Sequence, residues 1–274
     1  MDTRKQKKIL LVLLIAAVVF LIAAVLGPHT AHHETIKEAM RDAVLHSDNK
    51  IALLGLQVNP SLISAFTVTG VLLVFAALLR LLVIPKFTMV PGKLQILLEE
   101  WVGFFRNLAK GNSPHRYGFL SVYLFVIGSY IFVGTLFELF GLQAVTTTGH
   151  SISLPAPLAD INGAIAAGCL SYAVIMYGGI RANKLKGVAL TLKEFSLPIS
   201  MSFRLFGALL SGMLVTELVY YYISLSFVLP VVVGVLFTVL HALIQTYVLT
   251  MLTSYYYGEV SEIHPPKAKK GKGK

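Results

Sequence analysis

LPISMSFRLFGALLSGMLVTELVYYY, residues 197–222, is the stretch that decides the fold. It is long enough to cross a bilayer, and Arg204 is its only cation. An arginine at the centre of a membrane helix costs from about 3 to more than 10 kcal/mol. Guanidinium cannot shed its proton to escape that cost. A chain that keeps one there is expected to use a permanent positive charge at membrane depth, which points to ion movement.

Outward from this run the apolar pattern repeats. The 274 residues are 56% hydrophobic and only 13% charged, with a mean hydropathy of +0.75. This composition indicates an all-α polytopic membrane protein. Six spans are predicted, at 9–27, 61–84, 118–141, 158–180, 195–223 and 230–257. They amount to five core transmembrane helices plus one N-terminal hydrophobic helix.

With Arg4, Lys5, Lys7 and Lys8 inside, strict alternation puts 19 of the 23 lysines and arginines on the inner side. Three, Lys37, Arg41 and Lys50, fall outside, and Arg204 is left within the membrane. That asymmetry fixes the orientation and predicts a cytoplasmic C-terminus in a cell (inner or plasma) membrane. It also explains the net charge of +10 without nucleic acid.

Three regions follow: 1–60, an N-terminal hydrophobic helix and outside loop; 61–263, the core; and 264–274, a basic tail expected to be solvated or lipid-facing. RKQKK before the first apolar run also has the shape of a signal peptide. The run from Ile9 to Gly27 is longer than a usual signal core, however, and no small-x-small cleavage site follows, so a retained helix is expected.

Between the second and third spans, KLQILLEEWVGFFRNLAK (93–110) has Leu94, Leu97, Leu98, Trp101, Phe104, Phe105 and Leu108 at helical spacing. It is too polar to span, and reads as an amphipathic helix at the interface or as a cytoplasmic connector. There is no internal repeat of the kind that builds many secondary transporters. Cys169 is the single cysteine and stands in an apolar run, so no disulfide forms within the chain.

The polar residues at membrane depth are few: Glu138, Asp160, Asn162, Arg204, Glu217, His241 and Gln245. Glu138 either snorkels to the interface or serves the ion path. Asp160 caps the fourth span at its outer end, a role compatible with ion access. Glu217 and His241 either make structural hydrogen bonds or pass protons. Gln245 is typical helix glue.

Direct pairing of Arg204 with Glu217 within one helix is excluded, because thirteen residues rise about 20 Å. Alternation places Glu217 and His241 on the outer side of the arginine's level, as a wet passage ending at a fixed cation requires. The histidines of the outside loop, His29, His32 and His33, are read as solvated. No HExxH, Gly-x-Ser-x-Gly or P-loop motif is present, and no cofactor is expected.

SMSFRLFGALLSG (200–212), followed by HALIQTYVLTMLTSYYY (241–257), resembles subunit a of F-type ATP synthases. VPGKLQ and LEE within 90–105 and PLADIN (157–162) extend the resemblance across about 61–263. It implies an ion-translocating stator subunit with two half-channels and two long C-terminal helices facing a ring of c subunits. Implied partners are the c-ring, b-type peripheral stalk subunits, the rest of the complex and the lipid bilayer. The subunit is implied to be non-catalytic on its own, and to couple proton or sodium flow to ATP synthesis.

By resemblance Arg204 is the essential arginine, Gln245 the glutamine on the adjoining helix, and Asp160 with Asn162 the polar pair near the outer access. Glu138 matches an acidic position there. Three family positions depart from the pattern, being Ala208, Met213 and Thr238 here. Glu217 and His241 stand about one turn from the last two and are read as relocated replacements. The alternative is a secondary cation transporter with Arg204 and Glu217 in its substrate site.

Overall fold

A computed structural model of the chain describes residues 51–53, 56–145, 151–221 and 229–262. The expected span at 9–27, the three loop histidines and the basic tail lie outside those residues. The described part is helical apart from two small antiparallel hairpins, so the all-α polytopic expectation holds.

Asn59 starts the first helix, α1 (Pro60–Leu78). Its side chain accepts from Ser61 N at 3.1 Å, and Pro60 takes the first helical position, where a missing N–H costs nothing. The helix continues through a π turn at Leu79–Val83 and a 3-10 turn at Ile84–Lys86. Next come α2 (Lys93–Asn112) and α3 (Tyr117–Leu136), the latter ending in a 3-10 turn, Phe137–Phe140. Gly141 closes that turn at φ 55°, where a side chain would be strained.

Helix α4 (Ile161–Asn183) is capped by Asp160 and preceded by a 3-10 turn, Pro157–Ala159. It is followed by α5 (Leu185–Lys193), α6 (Ser196–Tyr221) and α7 (Leu229–Ser261).

Among the described residues, four helical segments are long and apolar enough to cross a membrane: Pro60–Lys86, Tyr117–Phe140, Ile161–Asn183 and Val231–Ser261. The pair Leu185–Lys193 and Ser196–Gly212, bent by 48°, makes a fifth if taken as one broken span. The sequence treats 181–193 as a plain inside segment, yet it forms α5. A nine-residue helix with no side-chain cap gives too short a pattern to stand out from a loop.

The hairpins β1 (Ile51–Leu53) with β2 (Leu56–Val58) and β3 (Gln143–Val145) with β4 (Ser151–Ser153) lie at the same end of the bundle. There Ile51, Val68, Phe137 and Leu154 bury one another in a small satellite core.

Helix α7 is the hub and packs against each of α2 to α6, whereas α1 touches only α3 and the Pro157–Ala159 turn among the helices and turns it packs on closely. Packing is set by small residues, as expected where lipid gives helices no hydrophobic drive to associate. A Cβ on Gly168 would run into Ser202, on Gly178 into the Tyr257 ring, and on Gly258 into the Asn112 carbonyl.

Polar pairs bridge the helices. Trp101 Nε1 donates to Ser129 Oγ at 3.0 Å and Asn112 Nδ2 to Ser254 Oγ at 3.1 Å. Asn183 Nδ2 donates to the carbonyls of Val260 and Glu262 at 3.0 and 2.8 Å. Helix α2 docks on α3 and α7 through Phe105 and Ala109, both fully buried. Only the C-terminal half of its apolar stripe is used, because Leu94 and Leu97 stay exposed.

Candidate functional site

Leu197, Met201, Leu205 and Leu209, four residues apart, turn one face of α6 into the core. Arg204 lies off that stripe. It is exposed beside Phe203, and Ser200, Gly207 and Ser211 line the same open side of the helix. It is the ninth residue of α6, about 12 Å from the helix start. Among the described residues it makes no hydrogen bond and no ion pair. Its charge does act on the hydroxyl of Tyr256 in α7.

Helices α6 and α7 run antiparallel. The His241 ring lies against Gly212, where an added Cβ would sit 3.4 Å from Nδ1. Arg204, earlier in α6, acts electrostatically on Tyr256, later in α7. Counting along both helices from the Gly212 contact sets Gln245 opposite Ala208, about 6 Å along the axis from Arg204.

Gln245 is 5% exposed, and its Oε1 has no hydrogen-bond partner among the described residues. Oγ1 of the next residue, Thr246, is buried and unpaired as well. A buried acceptor left unmatched costs about 1–3 kcal/mol. The guanidinium of Arg204, one turn away, carries five donors and no acceptor, which is the complementary chemistry. His241 is half-buried and stacks at a tilt on Phe237, with ring centroids 5.8 Å apart.

Glu138 sits in the turn at the end of α3, and that turn packs against α7. The residue is half-buried, and its carboxylate makes no hydrogen bond among the described residues. Glu217 belongs to the same unbroken helix as Arg204, thirteen residues on, so direct pairing stays excluded. Its side chain lies outside what the structure describes.

Asp160 and Asn162 stand apart from this seam, at the start of α4. Asp160 Oδ1 accepts from Asn162 N at 3.0 Å and from Asn162 Nδ2 at 3.2 Å. Its Oδ2 accepts from Asn59 Nδ2 at 2.6 Å. The carboxylate therefore caps one helix and grips the residue that caps another. The Pro157–Ala159 turn before it packs against α1, α3, α4 and α6, tying this corner to the arginine helix.

His241 lies on the α6–α7 seam, Gln245 is buried on α7 about one turn from Arg204's level, the Glu138 turn adjoins the same α7, and Asp160 with Asn162 stand apart at the start of α4. Sequence reasoning missed Asn59, Gly212, Thr246 and Tyr256. Only Asn59 carried a readable signal, the Asn-Pro pair that opens a helix. The other three matter through contacts between helices, which no local pattern encodes. Residues 62–258 of the chain match the family model described as ATP synthase A chain.

Proposed function

The chain belongs to the ATP synthase A chain family, and from that premise we propose that it is the ion-translocating stator subunit of an F-type ATP synthase. The observation that carries the mechanism is Arg204 itself. It is exposed on the surface of a bundle built of membrane-spanning helices, and no group among the described residues neutralises it. A charge facing lipid there is costly, so the open side of α6 is a partner's seat. Ser200, Gly207 and Ser211 beside it let another helix come close.

The partner of fitting chemistry is a c subunit carrying a membrane carboxylate. Neutral or ion-loaded while facing lipid, that carboxylate meets the fixed cation, which favours its ionised form and promotes release of the ion. Arg204 also repels any cation crossing directly between the two half-channels. Gln245 orients the guanidinium through its unpaired Oε1. Glu217, His241 and Glu138 line the outer passage, with Asp160 and Asn162 framing its mouth.

Each charge contributes about 2.3 kcal/mol per 100 mV, so several ions pass for each ATP. The subunit does no ATP chemistry of its own. It works with the c-ring and b-type stalk subunits in a cell membrane, with its C-terminus in the cytoplasm.

Gentle detergent purification of the tagged chain, with mass spectrometry of what accompanies it, tests this reading. Recovery of c, b-type and soluble ATPase subunits supports it. A stable assembly without any c subunit overturns it in favour of a secondary transporter.

A further inference from the structure

The core-facing stripe of α6 runs Leu197, Met201, Leu205 and Leu209, and Gly212, three residues past Leu209, continues the same face. Where that face would carry another large apolar side chain, α6 has none. The ring of His241, from the antiparallel α7, lies over the position instead. A β-carbon built on Gly212 would sit 3.4 Å from Nδ1 and 3.5 Å from Cε1 of His241. The ring edge bearing those two atoms therefore faces the α6 backbone.

This contact differs from those of the other glycines. At Gly168, Gly178 and Gly258 even a β-carbon collides with the neighbouring helix, and at Gly207 and Gly234 it meets nothing within 4 Å. At Gly212 a β-carbon fits and anything larger runs into the imidazole. On α7 itself the Phe237 ring, one turn away, flanks the imidazole, with centroids 5.8 Å apart and planes tilted by 34°. The imidazole is thus held between a ring on its own helix and bare backbone on the next.

Ala242 and Gln245, close to it on α7, are buried, whereas His241 keeps partial exposure. Of the three it alone can both take up and give up a proton. Gly212 lies eight residues past Arg204 in one helix, which sets the ring about 12 Å from the arginine's level.

On the stator reading above, we propose that Gly212 is the positioning residue for His241. By carrying no side chain it opens the slot in which the imidazole stands across the α6–α7 seam, in the outer passage. A leucine there, like Leu209 one turn earlier, would claim the space that the ring fills, and a close-packed seam cannot hold both. The imidazole would be turned off the seam. Gly212 touches no ion in this arrangement and acts only through His241.

Proton uptake from the outer side tests this, in vesicles carrying the whole complex, with a pH-sensitive dye in sodium-free buffer. Gly212→Leu should slow uptake about tenfold, as His241→Leu does, and Gly212→Ala should keep most of the rate. The double variant Gly212→Leu/His241→Leu should be no slower than either single one, because both changes remove the same imidazole from the seam. A loss of about a hundredfold in the double variant overturns the proposal, since the two residues would then act independently. An unaltered rate in Gly212→Leu beside a slow His241→Leu overturns it too, and leaves the outer-passage role of His241 standing. Full uptake by His241→Phe, which keeps a flat ring in the slot, would instead remove that role, and the proposal with it. If Gly212→Leu does not assemble, the exchange Gly212→Leu/His241→Ala moves the bulk from one helix to the other and should assemble. Failure of the exchange as well would place the contact elsewhere and overturn the proposal.

Discussion

The Asn59 amide donates to Asp160 Oδ2 at 2.6 Å across 101 residues of sequence, joining the caps of α1 and α4. One side chain thus starts α1 with its oxygen and anchors the start of α4 with its nitrogen. Asp160→Ala removes a cap and this cross-link together, and should lower stability by about 1–2 kcal/mol in a detergent unfolding titration. Asn59→Ala should cost about 1 kcal/mol. The double variant should lose less than the two single losses combined, because the residues share one interaction. Strict additivity would mean that the two caps act independently.

Gly258 lies where α7 crosses the end of α2, and a Cβ there would meet the backbone oxygen of Asn112. Backbone cannot swing aside as a side chain does. Gly258→Ala should therefore destabilise the chain by about 1–3 kcal/mol. Gly70→Ala, on the open surface of α1 with nothing within 4 Å, should be neutral or slightly stabilising. Comparable unfolding of the two variants would contradict this packing.

Gln245 offers a test that separates stability from function. Its Oε1 is buried and unpaired, so Gln245→Leu should leave the isolated chain as stable as before or more so. If Gln245 orients Arg204 as proposed, ion-driven ATP synthesis by the reconstituted complex should nevertheless fall. A loss of stability without a loss of coupling would make Gln245 a packing residue only.

His241 lies against Gly212, and Glu217 follows five residues later in the same helix as that glycine. If these residues serve the outer passage, Glu217→Gln and His241→Leu should each slow ion uptake from the outer side by about tenfold, or about 1.4 kcal/mol on the barrier. Ion uptake into vesicles carrying the membrane sector measures this. Unchanged rates in both variants would return the pair to structural roles.

Much of this was legible in the sequence for a physical reason. Apolar runs of bilayer length separated by basic segments leave little freedom, and the spans at 61–84 and 118–141 fall within about two residues of the observed segments. Of the two readings left open for 93–110, interfacial helix or connector, the 3.6-residue period pointed to the helix that forms, α2. What local pattern could not supply was which side of each helix faces inward. In α7 the buried residues include Thr246, Thr250, Thr253 and Ser254, whereas Leu243, Tyr247 and Tyr255 are exposed. With lipid as the solvent, apolar residues have no reason to turn inward, and the polar face makes the contacts.

The same holds for Arg204. Its place within a long apolar run was readable, but its exposure on the open side of α6 was not, since that depends on which stripe of α6 enters the core. The hairpins escaped notice because strands of three residues carry too little alternation to register.

The most direct test is Arg204→Ala in the intact complex, reconstituted into vesicles and driven by an imposed ion gradient. ATP synthesis should be abolished while the chain still inserts and assembles with its partners, because on the proposed mechanism this cation discharges each passing carboxylate. Near-normal coupled synthesis by that variant would contradict the stator mechanism.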